Sequence, residues 1–131
     1  MMKNPGIDGQ ITFLYTTDLI KTRNFYQNIM GFQMILDQGT CQIFRVAESS
    51  YIGFCLKEII NSDDRNTIFT LVTTDVDRWY EHLKEQGISF NKTPEYNPKY
   101  QIYHFFLNDP NGYLIEIQRF EDPNWPERTG D

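Results

Sequence analysis

The sequence predicts an α+β fold built from two β-α-β-β-β modules in one chain. Three observations carry that expectation. Thr16-Thr17-Asp18 recurs 57 positions later as Thr73-Thr74-Asp75. Each copy follows a short β-type run and precedes an amphipathic helical stripe. Each stripe stops at a glycine, Gly31 or Gly87, followed at once by an apolar strand starter, Phe32 or Ile88.

In the first module, Ile11-Thr12-Phe13-Leu14-Tyr15 reads as the opening strand. Asp18 stands where it caps a helix whose stripe is Leu19, Phe25, Tyr26, Ile29 and Met30. Gly31 ends that helix as a C′ residue. Strands over 32–38, 41–46 and 51–57 follow, joined by turns at Gln38-Gly39-Thr40 and Ala47-Glu48-Ser49-Ser50. Residues 58–66 are polar, carry Asp63-Asp64-Arg65, and read as a linker.

The second module repeats the order. A strand over 67–72 leads to Asp75 and a helix with Val76, Trp79, Tyr80 and Leu83 on one stripe. Glu81, Lys84 and Glu85 lie off that stripe. After Gly87 come strands over 88–92, 100–107 and 113–119, with a Pro/Asn/Tyr stretch before the second of them. The modules span about 9–58 and 67–120 of a single domain, 1–131. A tail, 121–131, carries Pro123, Trp125 and Pro126.

Composition narrows the function classes. A chain of 131 residues, 40% hydrophobic and 15% aromatic, buries a core without staples. Its net charge of −6 and the lack of a basic cluster argue against nucleic acid or an anionic membrane surface as partner. Cys41 and Cys55 fall inside expected strands and read as small core thiols, with a disulfide between them as the less favoured alternative. Two such thiols, with no signal peptide or long apolar run, point to a reducing cytoplasm.

The most informative stretch is Phe105-Phe106-Leu107-Asn108-Asp109-Pro110-Asn111-Gly112-Tyr113-Leu114-Ile115-Glu116-Ile117. Asn108 to Gly112 hold the residues of a tight reversal, so the flanking runs form a hairpin. Alternation puts Ile115 and Ile117 on one face and Glu116 on the other, beside Leu114 and Gln118. Pairing Phe106 with Leu114 then sets His104 opposite Glu116, within reach across the strands.

A β-α-β-β-β unit has one sheet face covered and one bare, and two such units can share a cavity. Asp18 with Phe25-Tyr26, Met30-Gly31-Phe32, and the Asp109-Pro110-Asn111-Gly112 to Glu116 segment resemble the vicinal oxygen chelate superfamily. That group includes glyoxalase I, extradiol dioxygenases, fosfomycin-resistance proteins and metal-free bleomycin-binding proteins. The resemblance covers about 10–120 and implies paired βαβββ modules, with sheets curved around a central cavity and commonly completed in a homodimer.

The resemblance also implies where a metal would sit. Its ligand positions fall on Ile11, Gly53, Phe69 and Glu116, of which only Glu116 carries a donor. One carboxylate does not hold a divalent ion that takes three or more protein ligands. The expectation is therefore no metal and no cofactor. In the fosfomycin-type members the positions matching His104, Phe106, Tyr96, Tyr100 and Trp125 line the pocket. With Glu116 and Leu114 they form the candidate ligand-binding set, suited to a planar or partly apolar ligand.

Three readings of His104 and Glu116 stand side by side: a buried structural pair, ligand-contacting groups, or an acid–base pair. The aromatics equally suit a role as barrel filling. Two function classes follow. The first is a metal-free, dimeric binding protein that sequesters a small aromatic or amphipathic compound. The second is a lyase, isomerase or dioxygenase-like enzyme with an atypical metal site or none, using His104 and Glu116 as catalytic candidates.

Overall fold

The computed structural model describes residues 4–126. In sequence the chain divides after Asn66 into two compact units. Each unit is a four-stranded sheet with a helix packed on one face.

In the first unit, β1 (Gln10–Thr16) leads into a helix, α1, that begins at Leu19. Asp18 caps it as expected, its carboxylate accepting from the Lys21 N–H at 3.0 Å. From Asn24 to Ile29 the helix widens into π geometry, which turns both Phe25 and Tyr26 into the core. Gly31, at φ +77°, ends it in the left-handed conformation that favours glycine. Strands β2 (Gln33–Asp37), β3 (Cys41–Ala47) and β4 (Ser50–Leu56) complete a sheet of order β1-β4-β3-β2.

Direction alternates along each strand, so the helix claims one face only. Thr16 bonds Thr22 of α1 at 2.8 Å, and Tyr26 packs on Phe44 and Phe54, all of them buried. The opposite face carries Ile11, Phe13 and Tyr15, between 42% and 51% exposed. In the parallel β1–β4 ladder these three stand beside Tyr51, Gly53 and Cys55.

The two cysteines are not free. Cys41 and Cys55 oppose each other directly across β3 and β4 and are joined by a disulfide, correcting the expectation of two separate thiols. The β3–β4 hairpin brings their Cα atoms to 4.1 Å, a proximity that placement within two separate strands does not by itself reveal. The inference of a reducing compartment loses its premise. Among the described residues no helix is long and apolar enough to cross a membrane.

The second unit repeats the order with β5 (Ile68–Val72), α2 (Val76–Glu85), β6 (Glu95–Asn97), β7 (Ile102–Asn108) and β8 (Leu114–Phe120). The sheet order is β5-β8-β7-β6. Val76 and Leu83 of α2 are fully buried, and Tyr80 packs on Phe105. Asp75 occupies the cap position, but its side chain makes no capping bond. Gly87, at φ +89°, closes α2, with the Ile88 N–H returning to the Leu83 carbonyl.

The strand expected over 88–92 does not form. Its apolar residue Phe90 instead packs on Tyr80 and Phe105, held by side-chain contact without a ladder partner. The actual β6 starts after Pro94, where the chain rejoins the sheet for three residues.

Candidate functional site

The site grows from the β7–β8 hairpin. Asp109 organises the turn: its carboxylate accepts from the backbone N–H of Asn111 at 2.9 Å and of Tyr113 at 2.8 Å. The Asp109 N–H donates to the Tyr113 carbonyl and the Gly112 N–H to the Asp109 carbonyl. Gly112 has φ +88°, which completes a three-residue loop of Pro110, Asn111 and Gly112.

That short loop corrects the expected register. Asp109 remains paired instead of joining the loop, so Phe106 stands opposite Glu116 and His104 opposite Gln118. The slip is two residues, and an even slip preserves the face. Ile115 and Ile117 are fully buried, and Ile117 stands opposite Phe105 on the α2 side. His104 and Glu116 remain together on the other face.

They meet diagonally. His104 Nδ1 lies 2.7 Å from Glu116 Oε2, with both residues below 10% exposed. Thr70 of β5, the ladder neighbour of Glu116, donates its hydroxyl to Oε1 at 3.2 Å. The amide orientation of Gln118 that satisfies its neighbours places its nitrogen 3.0 and 3.1 Å from the two carboxylate oxygens. Glu116 is thus a buried carboxylate held by three side chains on three strands, which offsets much of its desolvation.

A cavity of about 360 Å³ opens beside this network. Its walls are the bent segment Ser89, Phe90, Asn91, Lys92 and Thr93, together with Glu95, the β7 residues from His104 to Asn108, and Leu114. The Phe106 ring sits edge-on to the His104 imidazole at 5.1 Å. Lys92 and Glu95 pair at 3.6 Å on the rim.

The structure brings His104, Glu116, Phe106 and Leu114 to this place and leaves the other expected residues elsewhere. Tyr96 stands opposite Tyr103, on the face away from His104, because Glu95 takes the position opposite His104. Tyr100 lies exposed in the turn after β6, beside Lys99. Trp125 stacks on Phe120 at 4.0 Å and lines a separate, wider cavity of about 720 Å³ with Val72, Arg119 and Pro123. That second cavity has neither His104 nor Glu116 in its walls, whereas the smaller one is lined by His104 itself. Sequence reasoning put Gln118 on the face of Glu116 without giving it a role, and missed Thr70, Glu95 and Lys92. Thr70 depends on the β5–β8 pairing that sets it beside Glu116.

The donor set does not fit the divalent metal of the enzyme members. Phe69 stands beside Ile115 on the helix side, so the face of Glu116 receives Ile68 and Thr70 from β5 instead. Ile11 and Ile68 carry no donor atom. Phe13 and Thr70 occupy matching places, three residues before Thr16 and Thr73, and their ladder partners are Gly53 and Glu116. At Gly53 the Phe13 ring lies where a side chain would begin, 2.5 Å from an added Cβ. Among the described residues no three of His, Cys, Asp and Glu converge.

Comparison with known proteins agrees with this architecture. The family model described as Glyoxalase/Bleomycin resistance protein/Dioxygenase superfamily matches residues 9–117. No curated protein matches in sequence. Among solved structures, TnmS3, an antibiotic binding protein from Streptomyces sp. CB03234, is similar with TM-score 0.74 and 18% identity, covering 89% of this chain and 98% of that one. A lactoylglutathione lyase from Agrobacterium tumefaciens gives TM-score 0.70 and 19% identity over 88% of this chain and 96% of its own. A glyoxalase/bleomycin resistance protein/dioxygenase from Nocardioides gives 0.74 and 17% over 99% and 93%.

Proposed function

The chain belongs to the Glyoxalase/Bleomycin resistance protein/Dioxygenase superfamily, and from that premise we propose that it is a metal-free binding protein for a small, partly apolar molecule. The observation that carries this reading is Glu116. The one acidic residue left at the family's metal positions is already held by His104, Thr70 and Gln118, while Ile11, Ile68 and Gly53 offer no donors. The carboxylate therefore serves to fix His104 at the wall of a cavity of about 360 Å³, whose other surfaces include Phe106 and Leu114. A cavity of this size with a few polar groups suits a small organic ligand. The likeness to an antibiotic binding protein supports the same class of role.

We further propose that the chain works as a homodimer. The row Ile11, Phe13 and Tyr15 is a contiguous apolar surface on one sheet face, and burying such a row is favourable. Sedimentation at micromolar concentration gives about twice 15.6 kDa if this holds, and 15.6 kDa if it does not.

The binding role is tested by thermal-shift titration with zinc, nickel and manganese ions and, separately, with a panel of small aromatic compounds. Stabilisation by members of the aromatic panel, lost in His104→Ala, supports the proposal. Stoichiometric metal binding that is lost in Glu116→Gln overturns it.

A further inference from the structure

We propose that the cavity beside His104 recognises its ligand through the free edge of β7, and that the ligand carries a peptide-like amide unit. This rests on the reading of that cavity as the ligand site and adds its chemical class.

Ladder parity supplies the argument. The Asp109 N–H bonds the Tyr113 carbonyl and the Glu121 N–H bonds the Gln101 carbonyl, so the odd-numbered residues of β7 face β8. In an antiparallel ladder the alternate residues turn their N–H and C=O the other way. Ile102 and His104 find Asn97 and Glu95 of β6 on that side. Phe106 and Asn108 find no strand, because β6 begins only at Glu95 and the chain before it bends away over Asn91 and Lys92. Among the described residues no backbone hydrogen bond joins Phe106 or Asn108 to residues 89–93. The cavity lies in that gap, between the bent segment and β7.

The cavity wall therefore presents two N–H donors and two C=O acceptors in line, about 7 Å apart along the strand at a rise near 3.3 Å per residue. An extended dipeptide matches that spacing by completing the ladder, as strand addition does elsewhere. A ligand without matching donors and acceptors would strip water from these groups and leave them unpaired, at a cost in affinity. The volume of about 360 Å³ admits two or three residues but not a long strand. The exposed Phe106 ring stands on the adjacent face, where a ligand side chain would project.

The probe is N-acetyl-alanyl-alanine N-methylamide, titrated into the full chain labelled with nitrogen-15. The expected result is movement of the Phe106 and Asn108 amide signals and slowing of their hydrogen exchange by about tenfold or more, the scale of one hydrogen bond of about 1.4 kcal/mol. The Ile102 and His104 amides, already in the β6 ladder, keep their exchange rates. A probe methylated on its inner nitrogens binds about tenfold more weakly. Asn108→Pro removes one edge N–H at a position where proline is tolerated and reproduces that loss. Equal binding of the methylated probe, or still Phe106 and Asn108 signals at saturation, overturns the inference. If those signals stay still while the aromatic panel binds with His104 perturbed, the edge inference fails and the cavity reading survives. If neither kind of probe binds, both fail.

Discussion

Glu116 Oε2 lies 2.7 Å from Nδ1 of His104, although the residue opposite Glu116 in the β7–β8 ladder is Phe106. The contact is diagonal, and diagonal neighbours on one face of an antiparallel pair lie about 7–8 Å apart at Cα, within reach of long side chains. Gln118, directly opposite His104, reaches the same carboxylate. One carboxylate thus fixes two side chains, and the imidazole is held rigidly at the cavity wall.

His104→Ala is expected to weaken binding of a cavity ligand by about 1–3 kcal/mol, the scale of one lost buried hydrogen bond. Folding should suffer less, since Glu116 keeps Thr70 and Gln118. Titration calorimetry on the variant measures the first quantity and urea unfolding the second. An unchanged dissociation constant would remove the binding role and leave a structural pair.

The two-module architecture was legible in the sequence because its signals are local. Asp18, Gly31 and Gly87 each act within one turn of chain, and all three sit where expected. The face of His104 and Glu116 was legible too, because Ile115 and Ile117 must be buried whatever the exact pairing. The pairing itself was not. It depended on whether Asp109 joined the turn or the ladder, a choice made by hydrogen bonds to Asn111 and Tyr113. Tyr96 failed for a related reason. A three-residue strand after Pro94 has its parity set by where it rejoins the sheet, and no hydrophobic pattern in Glu95, Tyr96 and Asn97 reports that. The disulfide needed the hairpin register of β3 and β4, which single-residue reading of Cys41 and Cys55 does not supply.

Gly53→Ala is expected to displace Phe13. The new methyl would meet the Phe13 ring 2.5 Å away, but that ring is 51% exposed and free to swing outward. The folding cost should therefore stay within about 1–3 kcal/mol, the range for modest overpacking. In the Phe13→Ala background the same substitution should cost close to nothing, a non-additivity that a double-mutant cycle detects. Equal costs in both backgrounds would show that backbone preference, not the ring, excludes a side chain.

The disulfide makes stability depend on reductant. Cys41 and Cys55 are 14 residues apart, and closing a loop of about 15 residues contributes roughly 3 kcal/mol in the chain-entropy treatment. Dithiothreitol should lower the melting temperature of the natural chain and leave Cys55→Ser unaffected. A natural chain indifferent to reductant would show that the bond adds nothing to an already well-registered hairpin.

Core and cavity residues of the same hairpin should separate cleanly. Ile115→Ala removes a fully buried side chain and is expected to cost about 2–5 kcal/mol of folding stability. Phe106→Ala, at a position 39% exposed, should cost less than Ile115→Ala in denaturant unfolding. A reversed order would place Phe106 in a core that this hairpin geometry does not give it.

Tyr103 supplies the pH-dependent test. Its hydroxyl donates to Asp77 Oδ1 at 2.5 Å, tying β7 to the first turn of α2. The Asp77 hydrogen bond, and then burial, raise the Tyr103 pKa above its ordinary value of 10.0, against the opposing pull of Arg119. A group whose folded pKa exceeds its unfolded one binds its proton more tightly in the folded state. The resulting stability is fully present below the unfolded value and is lost as pH rises through the folded value. Tyr103→Phe should therefore cost a constant amount at neutral and mildly alkaline pH, about 0.5–1 kcal/mol for an exposed hydrogen bond. Above the raised pKa the natural tyrosinate faces the Asp77 carboxylate, so the difference between the two proteins should shrink and then change sign. Urea unfolding of both chains across that range measures it. A difference that stays constant into strong alkali would assign Tyr103 to packing alone, including the Arg119 guanidinium over its ring at 4.8 Å.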